Sequence, residues 1–127
     1  MKFGVNYTPS HGWFHAWLDP DWDGIDNDLK QISELGMDHV RIFPIWPYLQ
    51  PNRTWINKKG VADVRRMVHI AGEHGLDAYV DVFQGHLSSF DFLPSWLVTW
   101  HAGNMFTDAD AVGSEERRVG KECRSRW

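Results

Sequence analysis

Two similar segments decide the fold of this chain: residues 34–43 read ELGMDHVRIF, and residues 73–82 read EHGLDAYVDV. Each segment joins a predicted helix to a predicted strand, and both begin with the pattern Glu-x-Gly-apolar-Asp, 39 residues apart. Glycine commonly ends a helix, because it adopts the left-handed backbone conformation at little cost. The two copies therefore predict a tandem β/α unit.

Strands and helices alternate on both sides of these joints. Residues 3–7, FGVNY, predict a first strand, and Asp19 with Pro20 predict the start of a helix. A second helix is predicted from about Val61. The apolar face of the first helix follows three- and four-residue spacing and comprises Trp22, Ile25, Leu29, Ile32 and Leu35. This βαβαβ order predicts an α/β fold with a parallel sheet. If that sheet closes into a barrel, we expect Val5, Val40 and Val80 to face the interior of the barrel.

The connections differ in length at the two ends of the predicted sheet. The helix-to-strand joints are short, whereas the strand-to-helix connections at residues 8–18, 44–60 and from 84 onward are long and rich in aromatic residues. Residues 7–12 read YTPSHG, so the glycine-rich turn of a dinucleotide-binding sheet is absent. Long aromatic loops at the carboxyl ends of parallel strands indicate a ligand cleft.

Composition excludes several other classes of protein. The chain has 127 residues, of which 43% are hydrophobic, as in globular proteins. No apolar run approaches the roughly 20 residues of a membrane span, and no signal peptide is seen, so we expect a cytoplasmic protein without a membrane partner. A net charge of −4 without a basic stripe argues against a nucleic-acid partner. The single cysteine, Cys123, excludes an internal disulfide.

The last fourteen residues are a separate case. Residues 114–127 read SEERRVGKECRSRW, and all fourteen resemble the translation of a common DNA sequencing adapter. We therefore expect an artefactual tail at 114–127 and assign residues 1–113 to the natural domain.

Four motifs, in this order, resemble the large clan of retaining glycosidases that includes glycoside hydrolase families 5, 42 and 2. FGVNY at 3–7 is similar to the clan's first strand, and GMDHVRI at 36–42 is similar to its second, G-x-N-x-V-R-I. GLDAYVDV at 75–82 resembles the third strand, and LPSWL at 93–97 resembles the P-x-W-L that follows it in family 42. The closest resemblance is to family 5. It implies a partial (β/α)8 TIM barrel, with the first three strands and two helices only.

The resemblance implies a retaining hydrolase of O-glycosyl bonds in β-linked oligo- or polysaccharides, without a metal or organic cofactor. In that clan two glutamates, on strands four and seven, flank the scissile bond. Both are expected beyond this chain, so it is expected to be inactive as it stands. Glu34 and Glu73 end predicted helices and are not assigned to catalysis.

The resemblance also implies roles for residues that the chain does contain. Arg41 matches the arginine that supports the nucleophile through its opposite charge, whereas Asp81 is assigned a structural role. The substrate-binding candidates are Asn6, Trp13, Trp46 and His86. Each has a structural alternative: Asn6 could end its strand, His86 could cap a loop, and the tryptophans could pack between loops.

Two other functions stay open. One is a non-catalytic carbohydrate-binding barrel that keeps the aromatic cleft. The other is a metal-dependent barrel hydrolase, suggested by His11 and His15, although these lie in a predicted loop and no His-x-His ends the first strand. The sugar, the linkage and the oligomeric state are not predicted.

Overall fold

The protein is described by a computed structural model that covers residues 1–100. Its centre is a parallel sheet in the order β1-β2-β3 with helices packed on one face. The elements of these layers are β1 (Gly4–Tyr7), α1 (Trp22–Glu34), β2 (His39–Ile42), α2 (Trp46–Leu49), α3 (Lys58–Glu73) and β3 (Asp77–Val80). The predicted α/β class and the start of a TIM barrel are confirmed.

The two faces of the sheet differ in chemistry. Val5, Val40 and Ala78 are aligned across the three strands, and Val40 is fully buried against the helices. The expectation that Val5, Val40 and Val80 face the interior of a barrel was therefore wrong. Side chains alternate along a strand, so the faces of Val40 and Arg41 are opposite. The helices each have an apolar stripe that must be buried, and the valines of the sheet pack against these stripes.

The repeated joints have the geometry that the glycines predict. Gly36 and Gly75 follow α1 and α3 with φ angles of 84° and 76°, the left-handed region in which glycine is favoured. At the first joint, Asp38 forms two bonds to Phe3: its N–H donates to the Phe3 carbonyl at 2.7 Å, and its Oδ2 accepts from the Phe3 N–H at 2.8 Å. The joints therefore also align the strand starts.

Both long helices begin at a side chain that caps them. Asp21 precedes α1 and its Oδ1 accepts from the Gly24 N–H at 3.1 Å, so the capping residue lies two residues after the predicted Asp19. Asn57 precedes α3 in the same way and accepts from the Lys59 N–H at 3.1 Å, which places the start before Val61. A capping side chain satisfies a backbone donor that the first turn leaves unpaired.

The long connections contain secondary structure that the βαβαβ description omitted. A 3₁₀ helix spans Trp13–Trp17, and beyond β3 lie the antiparallel pair β4 (His86–Leu87) and β5 (Phe90–Asp91), followed by α4 (Ser95–Trp100). Within residues 1–100 no helix is long and apolar enough to cross a membrane. The predicted tail at 114–127 and its boundary at residue 113 lie outside the described residues.

Candidate active site

An open cavity of about 430 Å³ lies on the face of the sheet opposite the helices. Asn6 on β1 and Arg41 on β2 are aligned in register, and Tyr79 follows in the same row on β3. All three line the cavity. The strand pattern therefore brings two of the predicted site residues, Asn6 and Arg41, to one surface.

Arg41 has a charged partner at the carboxyl end of the neighbouring strand. Its Nη2 atom forms an ion pair with Asp81 Oδ2, and its guanidinium lies 5.1 Å from the centre of the Phe43 ring. Asp81 is the residue after β3, and its N–H donates to the Ile42 carbonyl at 3.0 Å. Arg41 is thus held on the cavity side of the sheet, near its carboxyl end; its support of a nucleophile stays a prediction.

Trp46 stands at the start of α2, just beyond β2, and is half-buried. Its ring makes edge contacts with Phe83 at 5.4 Å and with Trp96 at 6.3 Å between centres. Its indole N–H donates to Gln50 Oε1 at 2.9 Å. Because that donor is used inside the protein, Trp46 can offer a ligand ring surface rather than a hydrogen bond.

Trp13 links two of the long connections. Its ring is 4.0 Å from that of Phe14 and 5.0 Å from that of Phe90 on β5. Its φ angle of 51° is uncommon for a bulky residue, and 41% of its surface is exposed. Trp13 therefore packs between loops, which was its structural alternative, and also presents aromatic surface.

His86 lies on β4 and is held by the strand beside it. Its Nδ1 is 2.6 Å from Asp91 Oδ1 on β5, and both side chains are largely exposed. The preceding residue, Gly85, lies against Trp46: a methyl group added to Gly85 would come within 3.6 Å of the Trp46 ring. His86 and Trp46 therefore belong to neighbouring parts of one surface.

Two residues important to this arrangement were not singled out from the sequence as site residues. Asp81 was assigned a structural role. It follows Tyr79 by two residues and therefore shares the face of Tyr79 and Arg41, and this spacing is visible in the sequence. Gln50 was also missed: its four-residue spacing from Trp46 was a weak local signal, whereas its bond from Trp96 depends on how α2 and α4 meet.

The described residues bring together no group of three His, Cys, Asp or Glu side chains that could hold a metal ion. His11 and His15 fall on the connection between β1 and α1. The metal-dependent alternative therefore has no three-ligand site in residues 1–100.

A parallel sheet with helices on one face, a polar cavity on the other and aromatic connections at its carboxyl ends is the arrangement expected for part of a (β/α) barrel with a ligand site. No family model matches the chain. Among solved structures, a GH5_18 variant from Bifidobacterium longum subsp. longum in complex with Manβ1-4GlcNAc is 94% identical, with a TM-score of 0.87. The match covers 95% of this chain and 29% of that one. The chain is thus similar in sequence and fold to part of a GH5_18 glycoside hydrolase.

More distant relatives agree on the class. The exo-β-1,4-mannosidase Op5Man5 from an Opitutaceae bacterium is 26% identical with a TM-score of 0.83, over 92% of this chain and 20% of that one. Cellodextrinase A from Ruminococcus flavefaciens is 31% identical over 67 residues, which are 53% of this chain and 20% of that protein. The chain therefore spans less than a third of the length of these relatives.

Proposed function

We propose that the protein to which this chain belongs is a retaining exo-β-mannosidase that cleaves the mannosyl bond of Manβ1-4GlcNAc. The observation that carries this proposal is the 94% identity to a GH5_18 enzyme bound to that disaccharide. The exo-β-1,4-mannosidase among the more distant relatives supports mannose as the sugar released.

Arg41 provides the electrostatic part of the proposed mechanism. Two carboxylates from the rest of the barrel would act as the nucleophile and the acid/base on either side of the bond. A guanidinium beside the nucleophile favours its ionised form and fixes its orientation. The ion pair with Asp81 and the contact with Phe43 hold Arg41 towards the cavity.

The remaining candidates would bind the sugar. Asn6 lines the cavity beside Arg41 and offers an amide to sugar hydroxyls. Trp46 and Trp13 offer aromatic surface to pyranose rings, and His86 offers a ring nitrogen from the β4–β5 pair. No metal or organic cofactor takes part in this proposal. A cytoplasmic location, the lack of a nucleic-acid or membrane partner, and the division at residue 113 stay predictions.

The test uses the full-length protein with a matched pair of disaccharides. Manβ1-4GlcNAc and Glcβ1-4GlcNAc differ only in the configuration at one carbon of the non-reducing sugar, so their kcat/KM values isolate the preference for mannose. We expect the mannoside to be hydrolysed at least about tenfold better. Proton NMR at early times should show β-mannose first, as retention requires.

Four other outcomes would contradict the proposal in different ways. Equal rates on the two disaccharides would remove the mannose preference, and α-mannose as the first product would make the enzyme inverting. Binding without turnover would favour the non-catalytic carbohydrate-binding barrel. Loss of activity on chelation, restored by a metal, would favour the metal-dependent alternative.

A further inference from the structure

Gln50 is a fully buried residue whose side-chain oxygen and side-chain nitrogen each have a hydrogen-bond partner. Only 1% of its surface is exposed. Its Oε1 accepts from the Trp46 indole at 2.9 Å, and its Nε2 donates to the Arg53 carbonyl at 3.2 Å. Its own carbonyl accepts from the Trp96 indole at 2.9 Å. Glutamine is seldom buried this completely unless its hydrogen bonds are satisfied.

Trp46 is enclosed by elements from two connections. Phe83 and Trp96 approach its ring on edge, and Gly85 lies close to its six-membered ring. Apolar contacts of this kind limit where the ring can go, but they are not directional. The bond from Nε1 to Gln50 is directional, and it therefore determines how the indole is rotated within that enclosure.

We propose that Gln50 is a positioning residue for substrate binding, which sets the rotation of the Trp46 ring at the carboxyl end of the sheet. This inference rests on the proposed function, in which Trp46 contacts the sugar. Gln50 itself is buried and does not touch substrate. Its carbonyl also ties α4 to α2 through Trp96, so one residue fixes the tryptophan and the element that packs against it.

Loss of the amide has a definite consequence for the ring. Without Gln50 Oε1, the Trp46 N–H would be left without an acceptor in a partly buried place, which is unfavourable. The indole would turn towards water or another acceptor, and its surface would no longer match a pyranose. Ground-state binding of the sugar should weaken more than the chemical step.

The test is a double-mutant cycle in the full-length enzyme with Manβ1-4GlcNAc as substrate. Gln50→Met removes the acceptor and retains a long side chain, while Trp46→Phe retains an aromatic ring and removes the donor. Gln50→Met should raise KM about tenfold and change kcat less than about twofold. In the Trp46→Phe background the same substitution should change KM less than about twofold, because no N–H is left to orient.

Ser33→Ala is the matched control for lost stability. Ser33 Oγ donates to the His74 carbonyl at 2.7 Å at the opposite end of the sheet, so this variant should lower Tm without changing KM. If Gln50→Met does not fold, Trp46→Phe breaks the same bond from the other side and should raise KM by a similar factor.

The outcomes separate this inference from the proposed function. Turnover of the disaccharide by the wild-type enzyme decides the function. If there is no turnover, the wild type and the three variants of the cycle are compared by their Kd for the disaccharide. An equal effect of Gln50→Met in both backgrounds, or no effect on KM, would overturn the positioning role. An unchanged KM in Trp46→Ala would overturn it as well and leave the mannosidase proposal standing.

Discussion

Tyr7 at the end of β1 is a buried side chain with an ionisable group. Its hydroxyl donates to Asp28 Oδ2 at 3.1 Å, and Asp28 also accepts from the backbone and hydroxyl of Ser10. Burial, and then the charge of Asp28, raise the pKa of the Tyr7 phenol well above its ordinary value near 10. The unfolded chain therefore loses this proton first as the pH rises.

The first prediction concerns the pH dependence that follows from Tyr7. A group with a raised pKa in the folded state contributes its full stability below pH 10 and loses that contribution as the pH rises further. The wild-type free energy of unfolding should therefore fall more steeply above about pH 10 than that of Tyr7→Phe, which has no proton to lose. Urea titrations of the full-length protein from pH 8 to pH 11 measure this difference, and parallel curves would contradict it.

The second prediction concerns Arg41 and the activity of the full-length enzyme. Arg41→Ala should lower kcat/KM on Manβ1-4GlcNAc by about 100-fold or more, because the nucleophile loses a charged donor. Arg41→Lys should recover only part of the loss, since an ammonium lacks the two-pronged geometry of a guanidinium. Arg65→Ala is the control, because Arg65 is an exposed arginine on α3. Activity of Arg41→Ala near the wild-type level would remove Arg41 from the site.

At the scale of elements, Gly75 and Gly72 form a matched pair around the end of α3. A methyl group added to either would meet no heavy atom within 4 Å, but only Gly75 has a positive φ, of 76°. Gly75→Ala should destabilise the protein by about 1–2 kcal/mol through backbone strain. Gly72→Ala should stabilise it by about 0.5–1 kcal/mol, because alanine favours the helix.

Equilibrium unfolding of the two glycine variants, each made in the full-length protein, measures this third prediction. The free energies should move in opposite directions relative to the wild type. A shift of the same sign in both variants would mean that the glycine at the joint is not required by its backbone conformation.

Local patterns account for the elements that could be predicted from the sequence. The joints at Gly36 and Gly75 and the apolar spacing of α1 depend on nearby residues, so they are visible in the sequence. The faces of Val40 and Arg41 could not be assigned in this way, because a parallel strand is covered on both sides and its pattern does not say which side the helices occupy. The bond between Gln50 and Trp96 joins residues far apart in sequence and needs the fold itself.

At the scale of the whole molecule, the described sheet has two open edges. β1 and β3 each pair with β2 alone in residues 1–100. Unpaired strand edges promote association between chains. The polar face that holds Arg41 would be covered by further strands in a closed barrel.

The fourth prediction is that the 127-residue chain, expressed alone, is neither an active hydrolase nor a stable monomer. It spans 29% of the GH5_18 relative, and we expect both catalytic glutamates to lie in the remainder. Purified chain should aggregate or behave as a molten state, and it should not hydrolyse Manβ1-4GlcNAc beside a full-length control. Turnover that survives repurification would show that the catalytic residues lie within this chain.

The fifth prediction concerns residues 114–127. Because this segment resembles a translated adapter and shows no apolar periodicity, its removal should leave the secondary structure, the tendency to aggregate and any sugar binding of the chain unchanged. Thermal melts and far-UV spectra of residues 1–113 and 1–127 should superimpose. A clear loss of stability on removal would show that the segment belongs to the protein.

The short joints at Gly36 and Gly75 also bear on how such a protein can vary. Bonds from Asp38 to Phe3 and from the Asp77 N–H to the Asp38 carbonyl set the strand starts at that end. Loss of one codon there would shift a strand by one residue and turn Arg41 to the helices and Val40 to the cavity. A codon gained or lost in the long connections would leave the strands in place. Inherited changes of length should therefore collect at the carboxyl end of the sheet, where we propose that the sugar binds.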